Sequence, residues 1–430
     1  MSAVIDKVAD IALRHRSGRW WSAFAVAGAL LLLLVGATGW LFYRGVGVWG
    51  IDWPVSWGFA IINYVWWIGI ASGGTFISAL FFLMETDWRT SVSRIAETMT
   101  VFAAACAGIF PILHLGRPWL FYWLFPARNT MTLWPQFRSP LLWDFFAVLA
   151  YVTASILFWY FGAIPDLAAL RDRASSRRRQ IAYGIFALGF RGSDTQWRHY
   201  RAVYGTFAAI MAPLVVSVHS IVGLDFAGAS TVGWHSTEFP PFFVFGALLS
   251  GLAMVLLLLL PLRWMLKLDE LITPRHFDVL SRLLLMSSLL VGYAYVMDVF
   301  SVYYSGDPAE LAVFHTKLHG AYAPVYWATI VFNLLLPQLL WSARLRVNPF
   351  LIAMVSVGVI YGMWCERYSI VVLSLRRSDL VSAWGNYHGT LWDYALLFGS
   401  IGLFSVGLLL AVRYVPVVSM ADVREASEAP

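Results

Sequence analysis

The stretch that organises the chain begins with His114-Leu-Gly-Arg-Pro-Trp119 and ends with Phe137-Arg-Ser-Pro-Leu-Leu-Trp-Asp144. A long apolar run precedes it and another follows, so a His, an Arg and an Asp lie where two hydrophobic segments meet water. Removing such groups from water is costly unless a partner or a pathway compensates. This connection is therefore the first candidate for a functional site.

The composition predicts a polytopic membrane protein. Of the 430 residues, 60% are hydrophobic and 13% are charged, whereas soluble domains average about 25% charged residues. Two cysteines are too few for a disulfide framework or for the four ligands of an iron–sulfur cluster, so both are expected to be small apolar side chains within helices. The net charge of +6 does not indicate a nucleic-acid partner, because the basic residues lie in loops, as membrane topology requires.

Apolar runs near the ~20 residues needed to cross a bilayer predict an all-α fold with ten transmembrane helices. The runs are 20–42, 57–84, 95–115, 141–164, 203–224, 242–262, 283–300, 325–341, 351–372 and 391–412. The run 69–78 is rich in small residues, which lets helix backbones approach closely, so the second helix is expected at the centre of a bundle. Pro111, Pro213 and Pro337 predict kinks or local unwinding inside helices.

The distribution of Lys and Arg predicts the orientation. These residues are about three times as frequent in the termini and the loops after helices 2, 4, 6 and 8 as on the other side, which places both termini in the cytoplasm. The chain then divides into a cytoplasmic N-terminal segment, 1–19, a ten-helix transmembrane domain, 20–412, and a cytoplasmic C-terminal tail, 413–430. The segment 165–202, with Arg177-Arg178-Arg179, is expected to be a solvated cytoplasmic loop.

With this orientation, the rare ionisable residues gather at the outer ends of helices, and the cytoplasmic halves are expected to hold almost none. The outer residues are His114, Arg117, Asp144, His219, Asp225, Asp298, Glu366 and Arg367. Interfacial charges are often snorkelling or structural groups, but His114, Asp144 and Asp225 are too short to snorkel far, which favours a functional role. For the last three residues, an internal hydrogen-bond network and a proton route are equally open.

Imidazole and carboxylate groups at a membrane interface suit the oxidation of a quinol, which releases two protons and two electrons. Both groups can accept a proton in the course of a reaction. The sequence offers no cluster ligands, no notable Gly-rich nucleotide motif and no convincing pair of haem ligands. The electron acceptor is therefore expected in another subunit.

Several motifs carry a family resemblance. Asn63-Tyr-Val-Trp-Trp-Ile-Gly-Ile70, Phe110-Pro-Ile-Leu-His-Leu-Gly-Arg-Pro-Trp119, Ser139-Pro-Leu-Leu-Trp-Asp144 and Ile164-Pro-Asp-Leu-Ala-Ala-Leu-Arg-Asp-Arg173 resemble the NrfD/PsrC (polysulfide reductase) family of quinone-interacting membrane subunits. Ser217-Val-His-Ser-Ile-Val-Gly-Leu-Asp-Phe226 and Trp364-Cys-Glu-Arg-Tyr368 are similar to the larger NrfD-like subunit, ActC, of alternative complex III. The likeness extends from about residue 20 to residue 412.

The resemblance implies a fold of two four-helix bundles plus flanking helices. It also implies that His114, Asp144 and Asp225 form a site that oxidises menaquinol or ubiquinol, with no metal, haem or cluster bound by this chain. On this interpretation Arg117, His219 and Trp143 support the quinol, and Asp298, Glu366 and Arg367 are a candidate proton route. Where family members often carry a His in helix 2, this chain has Ser72, so a second protonatable group is not expected there.

The resemblance further implies a bacterial inner-membrane location and partner subunits. These are a periplasmic iron–sulfur subunit, multihaem or monohaem cytochromes c, and a second NrfD-like membrane subunit. The leading hypothesis is a subunit of a quinol:cytochrome c-type oxidoreductase that is not redox-active alone and releases protons at the periplasmic side. The alternatives are the anchor of a molybdopterin reductase for polysulfide, sulfite or tetrathionate, a secondary transporter or proton channel, and a structural scaffold.

Overall fold

The computed structural model describes residues 2–14, 17–234, 236–377, 382, 384–421 and 423. Within this part of the chain there is no β-strand, and ten helical segments are long and apolar enough to cross a membrane. Their positions match the ten apolar runs, so the predicted all-α membrane fold is confirmed. Residues 424–430 of the predicted C-terminal tail lie outside the described residues.

The α-helices of the described residues are longer than the apolar runs because polar turns continue them at either end. They are α1 Ser2–Arg14, α2 Gly18–Arg44, α3 Phe59–Leu83, α4 Ser93–His114, α5 Pro140–Arg173, α6 Arg177–Phe186, α7 Asp194–Ala227, α8 Phe239–Leu266, α9 Pro274–Ser305, α10 Pro308–His319, α11 Ala323–Ile330, α12 Pro349–Tyr368 and α13 Leu391–Tyr414.

Two of the membrane spans are irregular. The span that begins with α11 continues as a π-helical turn, Val331–Leu335, and then as a 3₁₀ turn, Leu336–Trp341, to complete Ala323–Trp341. The change of helix type occurs beside Pro337, which has no N–H for the regular helical bond. The local unwinding predicted at this proline is therefore observed. A second π-helical turn, Ser369–Leu373, continues α12.

The segment 165–202 is mostly helical, so the expectation of a solvated loop was wrong. Helix α5 continues to Arg173, α6 follows after a short break, and α7 begins at Asp194. A capping box starts α7, in which the Ser193 side chain accepts from the backbone of Gln196 and the Gln196 side chain accepts from that of Ser193. A count of apolar residues could not reveal these polar helices.

The spans form two four-helix bundles and a flanking pair, as the resemblance implied. Helices α3, α4, α5 and α7 make the first bundle, and α8, α9, the α11 span and α12 make the second. The bundles meet where α8 packs against α3 and α7. Helices α2 and α13 pack on each other at the side of the first bundle, and α13 packs against α4 and α3.

Helix α3 is the central element, because it is buried along nearly its whole length and contacts helices of both bundles. Its closest approach to α8 is at Gly73 and Gly251. A Cβ atom at Gly73 would lie 2.2 Å from the carbonyl oxygen of Ala247 and 2.7 Å from the Cα atom of Gly251. The two backbones therefore pack directly against each other, as small residues allow in membranes.

We expect Gly73→Ala to lower the free energy of unfolding by about 1–3 kcal/mol, because the added methyl group forces α3 and α8 apart. The matched control is Gly36→Ala in α2, where a Cβ atom meets nothing within 4 Å. Thermal unfolding of the purified protein in detergent measures both variants. Equal melting temperatures for the two variants would contradict direct backbone packing at Gly73.

Candidate functional site

Side chains from three helices meet at one end of the first bundle. Asp144, early in α5, is buried, and the hydroxyl group of Tyr64 in α3 donates a hydrogen bond to its Oδ2 atom. Asp225, in the last turn of α7, lies near enough to interact electrostatically with both Asp144 and Tyr64. Tyr64, Asp144 and Asp225 together are called the carboxylate site below.

His114 is held by aromatic rings, which link it to the carboxylate site. It ends α4, and its ring stacks nearly parallel to Trp49, with ring centroids 6.3 Å apart and an interplanar angle of 6°. Its other contact is edge-on with Trp57 at 6.4 Å. Trp57 in turn contacts Phe226, the neighbour of Asp225, at 6.0 Å. One indole ring therefore bridges the imidazole group to the end of α7.

Three polar atoms of His114, Asp144 and Asp225 are buried without a hydrogen-bond partner among the described residues. They are Nδ1 of His114, Oδ1 of Asp144 and Oδ1 of Asp225. Buried polar atoms usually have partners, so each exception needs an explanation. Two carboxylate oxygens that lack donors can accept hydrogen bonds from the hydroxyl groups of a ligand.

Two of the expected support residues lie apart from this site. Arg117 is exposed in the turn after α4, and no ion pair joins it to Asp144 or Asp225 where the chain is described. Trp143 is also largely exposed, and its indole N–H donates to the carbonyl oxygen of Phe137 at 2.7 Å. Trp143 therefore fastens the preceding connection to α5. The role of Arg117 in tuning the carboxylates remains a prediction that no contact supports.

His219 has different surroundings from Asp225, although both are in α7. The two residues are six positions apart, which is about 1.7 helical turns and places them on different faces. His219 is fully buried near Gly69 and interacts electrostatically with Arg367 of α12. It therefore lies where the two bundles meet, and not at the carboxylate site.

The second bundle contains a buried network around Glu366. Arg367 Nη1 lies 2.8 Å from Glu366 Oε1, and the Tyr295 hydroxyl group donates a hydrogen bond to Oε2 of Glu366. Asn333 Nδ2 donates to the Tyr295 oxygen at 2.9 Å, and the Arg367 guanidinium group lies 4.1 Å from the centroid of the Phe243 ring. Of the two roles left open for Glu366 and Arg367, the structure shows the internal network.

Asp298 shares a small cavity with this network. The cavity has a volume of about 50 Å³ and is lined by Glu238, Asp298, Lys317, Tyr295 and Glu366, among others. That volume is room for a few water molecules, since each needs roughly 10–15 Å³ measured in this way. Lys317 Nζ lies 4.0 Å from Asp298 Oδ2 at the cavity. The predicted proton route through Asp298, Glu366 and Arg367 stays a prediction; Asp298 and Glu366 line this cavity, whereas Arg367 is linked to it only through Glu366.

The opposite end of the first bundle also holds buried charges, which corrects the expectation that this side has almost none. Arg94 lies between two acids, 3.1 Å from Glu97 Oε2 and 3.0 Å from Asp166 Oδ2. Glu97 also accepts hydrogen bonds from Ser78 at 2.8 Å and from Tyr204. The sequence did contain a signal for this network, the Arg-x-x-Glu spacing at the start of α4, because residues three positions apart share a helix face.

Cofactor ligands form no cluster in the part of the chain that the structure describes. No group of three or more His, Cys, Asp and Glu side chains is placed to hold a metal ion there. Cys106 and Cys365 are both buried and unpaired, in α4 and α12.

A protein-family model agrees with the fold. The model described as "Polysulphide reductase, NrfD" matches residues 48–377, which include both bundles. The match begins just before α3 and ends after α12, so it leaves out the flanking helices α2 and α13. Both the carboxylate site and the network around Glu366 lie within it.

Two curated relatives are similar to the chain. The membrane protein C of a putative dimethyl sulfoxide reductase from Halobacterium salinarum is 28% identical over 240 residues, which is 56% of this chain and 50% of that protein. The C protein of the selenate reductase from Mesobacillus selenatarsenatis is 21% identical over 380 residues, which is 84% of this chain and 86% of that protein. The first match thus spans only half the length of its relative, whereas the second spans most of both proteins.

Glu238, just outside the α8 span, predicts a pH dependence of stability. The pKa of Glu238 is raised from its ordinary 4.5 to about 7, mainly by burial and secondarily by the negative charge of Asp298. Between these values the folded state holds a proton that the unfolded state releases, so stability falls as pH rises through this window. We expect Glu238→Gln to melt higher than the parent protein near pH 8 and at the same temperature near pH 4.

The matched control for this experiment is Glu270→Gln, an exposed acid whose side chain is 78% accessible. Melting temperatures of the purified protein in detergent, taken across this pH range, provide the measurement. A constant difference between Glu238→Gln and the parent at every pH would show that folding does not raise the pKa of Glu238.

Proposed function

The chain belongs to the NrfD (polysulphide reductase) family, and we propose that it is the membrane subunit at which a multisubunit oxidoreductase oxidises quinol. The observation that carries the proposal is the carboxylate site beside His114. The two unpartnered carboxylate oxygens of the site and the Nδ1 atom of His114 are hydrogen-bonding atoms buried at one end of an apolar bundle. A quinol head group offers two hydroxyl groups to such a site, and its apolar tail suits the surrounding lipid.

The proposed reaction is the loss of two electrons and two protons by a bound quinol. Both O–H bonds break, the ring becomes the quinone, and the two electrons leave for an iron–sulfur cluster held by a partner subunit. Asp144 would accept the proton of one hydroxyl group and His114 the proton of the other, and Asp225 would complete the site and pass protons outward. General bases of this kind contribute typically 10²–10⁴-fold to rate when they lie within hydrogen-bond reach.

Tyr64 has a positioning role in this proposal. Its hydroxyl group donates to one oxygen of Asp144 and leaves the other oxygen free for the substrate. Asp144 and Asp225 also repel each other when both are charged. Binding of a proton from quinol relieves that repulsion, which favours the acceptance of a proton at this pair.

The similar proteins support a reductase assembly. Two relatives are described as membrane or C proteins of dimethyl sulfoxide and selenate reductases. We therefore propose that this chain anchors a molybdopterin-type reductase with iron–sulfur and molybdenum-containing partner subunits. A quinol:cytochrome c-type complex like alternative complex III, which the sequence motifs favoured, ranks second. Positive-inside topology would place the carboxylate site toward the periplasm of the inner membrane.

Asp144→Asn is expected to lower quinol-dependent turnover of the purified complex by about 100-fold or more, because a proton acceptor is lost. Tyr64→Phe should lower kcat by about tenfold to 100-fold, as expected for a lost hydrogen bond to a charged group. A steady-state assay with a soluble quinol analogue measures both variants. Asp52→Asn, an exposed acid at the same end of the bundle, is the control.

In that experiment both the assembly of the complex and its turnover are measured for each variant. An assembled Asp144→Asn complex with normal turnover would rule out the carboxylate site as the quinol site. A decrease in kcat without a change in melting temperature separates the positioning role of Tyr64 from a structural one.

The class of complex can be tested by its partner proteins. We expect the complex isolated in a mild detergent to contain molybdenum and iron–sulfur clusters, detected by elemental analysis and electron paramagnetic resonance. It should reduce an S-oxide or oxyanion at the expense of quinol. Abundant haem c and no molybdenum would instead favour the quinol:cytochrome c-type complex and exclude the reductase assignment.

A further inference from the structure

A groove at the Arg-rich end of the first bundle is far from the carboxylate site. It has a volume of about 220 Å³ and lies between the end of α5, the end of α6 and the start of α7. Its apolar lining includes Phe161, Ile164, Leu188, Phe190 and Val203, and His199 contributes a polar group. This space is called the α6–α7 groove below.

The α6–α7 groove continues onto a side of the bundle that suits lipid tails. Along α5 and α7, next to the groove, Leu157 and Ile210 are 39% and 51% exposed. These helices are membrane spans, so such apolar side chains face hydrocarbon. An acyl chain lying against this flank can therefore extend into the groove without crossing a polar barrier.

Helix α6 places both apolar and basic groups at the same level. Ile185, Phe186 and Leu188 are 65%, 58% and 64% exposed. Arg177 and Arg178 are exposed at the start of the same helix, and no ion pair involving them occurs among the described residues. An exposed apolar face with basic residues nearby on the same helix is typical of a helix that lies in the headgroup region of a membrane.

Positive charge also borders the groove itself. Arg191 follows the lining residue Phe190, and Arg198 precedes the lining residue His199. Within the described part of the chain, Arg198 donates to the Thr195 hydroxyl group at 3.3 Å and forms no ion pair, so no acid neutralises its charge there. An apolar space with a cationic border between transmembrane helices is complementary to an anionic phospholipid.

We propose that the α6–α7 groove binds an anionic phospholipid of the adjoining leaflet. One acyl chain occupies the apolar space next to Val203, and the phosphate group faces His199, Arg191 and Arg198. The occupant is a lipid, because the groove opens to the flank of the bundle that faces hydrocarbon. The bound lipid fastens the α6–α7 connection to the membrane surface, at the opposite end from the carboxylate site.

Native mass spectrometry of the full chain tests this proposal directly. The protein is purified in a mild detergent and mixed with dioleoylphosphatidylglycerol or dioleoylphosphatidylcholine, and bound lipids are counted. We expect the parent protein to prefer phosphatidylglycerol, and Arg191→Gln/Arg198→Gln to reduce that preference by about fivefold or more, since each cation near a membrane contributes about 1 kcal/mol. Val203→Trp fills the groove and should remove the tightest bound lipid of either kind.

The matched control is Arg128→Gln/Arg138→Gln, which removes two exposed cations from the connection at the other end of the bundle. An unchanged preference in Arg191→Gln/Arg198→Gln, or an unchanged lipid count in Val203→Trp, would overturn the proposal. So would loss of the preference in Arg177→Gln/Arg178→Gln alone, because the lipid would then bind on α6 outside the groove. Val203→Leu, which keeps the groove open, shows whether a loss in Val203→Trp reflects misfolding.

Discussion

Burying charged side chains inside an apolar bundle is costly, and this cost determines how the charged residues of the structure are arranged. Arg94 lies between Glu97 and Asp166, and Arg367 pairs with Glu366, so within these networks positive and negative groups compensate each other. Breaking such a pair by removing one partner is strongly destabilising, because a buried charge is left alone. The carboxylate site is the exception, since Asp144 and Asp225 approach each other without a nearby cation in the described contacts. That exception is one reason why chemistry is proposed for the carboxylate site, whereas the compensated charges serve the fold.

Helix α3 connects the two groups of buried carboxylates in the first bundle. Its small residues allow α8 to pack against its backbone at Gly73, and the same helix reaches both ends of the first bundle. Tyr64 near one end holds Asp144, and Ser78 near the other end holds Glu97. Displacement of α3 would therefore disturb both groups of buried carboxylates at once. The central helix links the packing of the two bundles to the geometry of the proposed quinol site.

The two ends of the molecule have different roles in the proposed function. One end brings Asp144 and Asp225 together, with His114 linked to them through aromatic rings, and in the proposal a lipid-soluble substrate enters and a partner protein docks there. The other end combines a compensated ion network with the basic surface of α6 and α7. Proton and electron transfer then need only the first end, and attachment to the lipid surface uses the second. The Glu366 network lies in the other bundle, so its contribution can be tested separately from both.

The sequence alone determined the number, type and approximate limits of the membrane spans, because hydropathy adds up locally along a chain. It also led to the prediction of His114, Asp144 and Asp225 as site residues, since ionisable groups at span ends stand out against apolar surroundings, and that role stays a prediction. It missed Tyr64, the Arg94 network and the polar helix α6, and it grouped His219 with the wrong partners. Rotation of each helix about its axis decides which side chains meet, and that rotation is set by packing between distant segments such as Gly73 and Gly251. Only the tertiary structure could therefore decide that Tyr64 binds Asp144, and that His219 faces the second bundle.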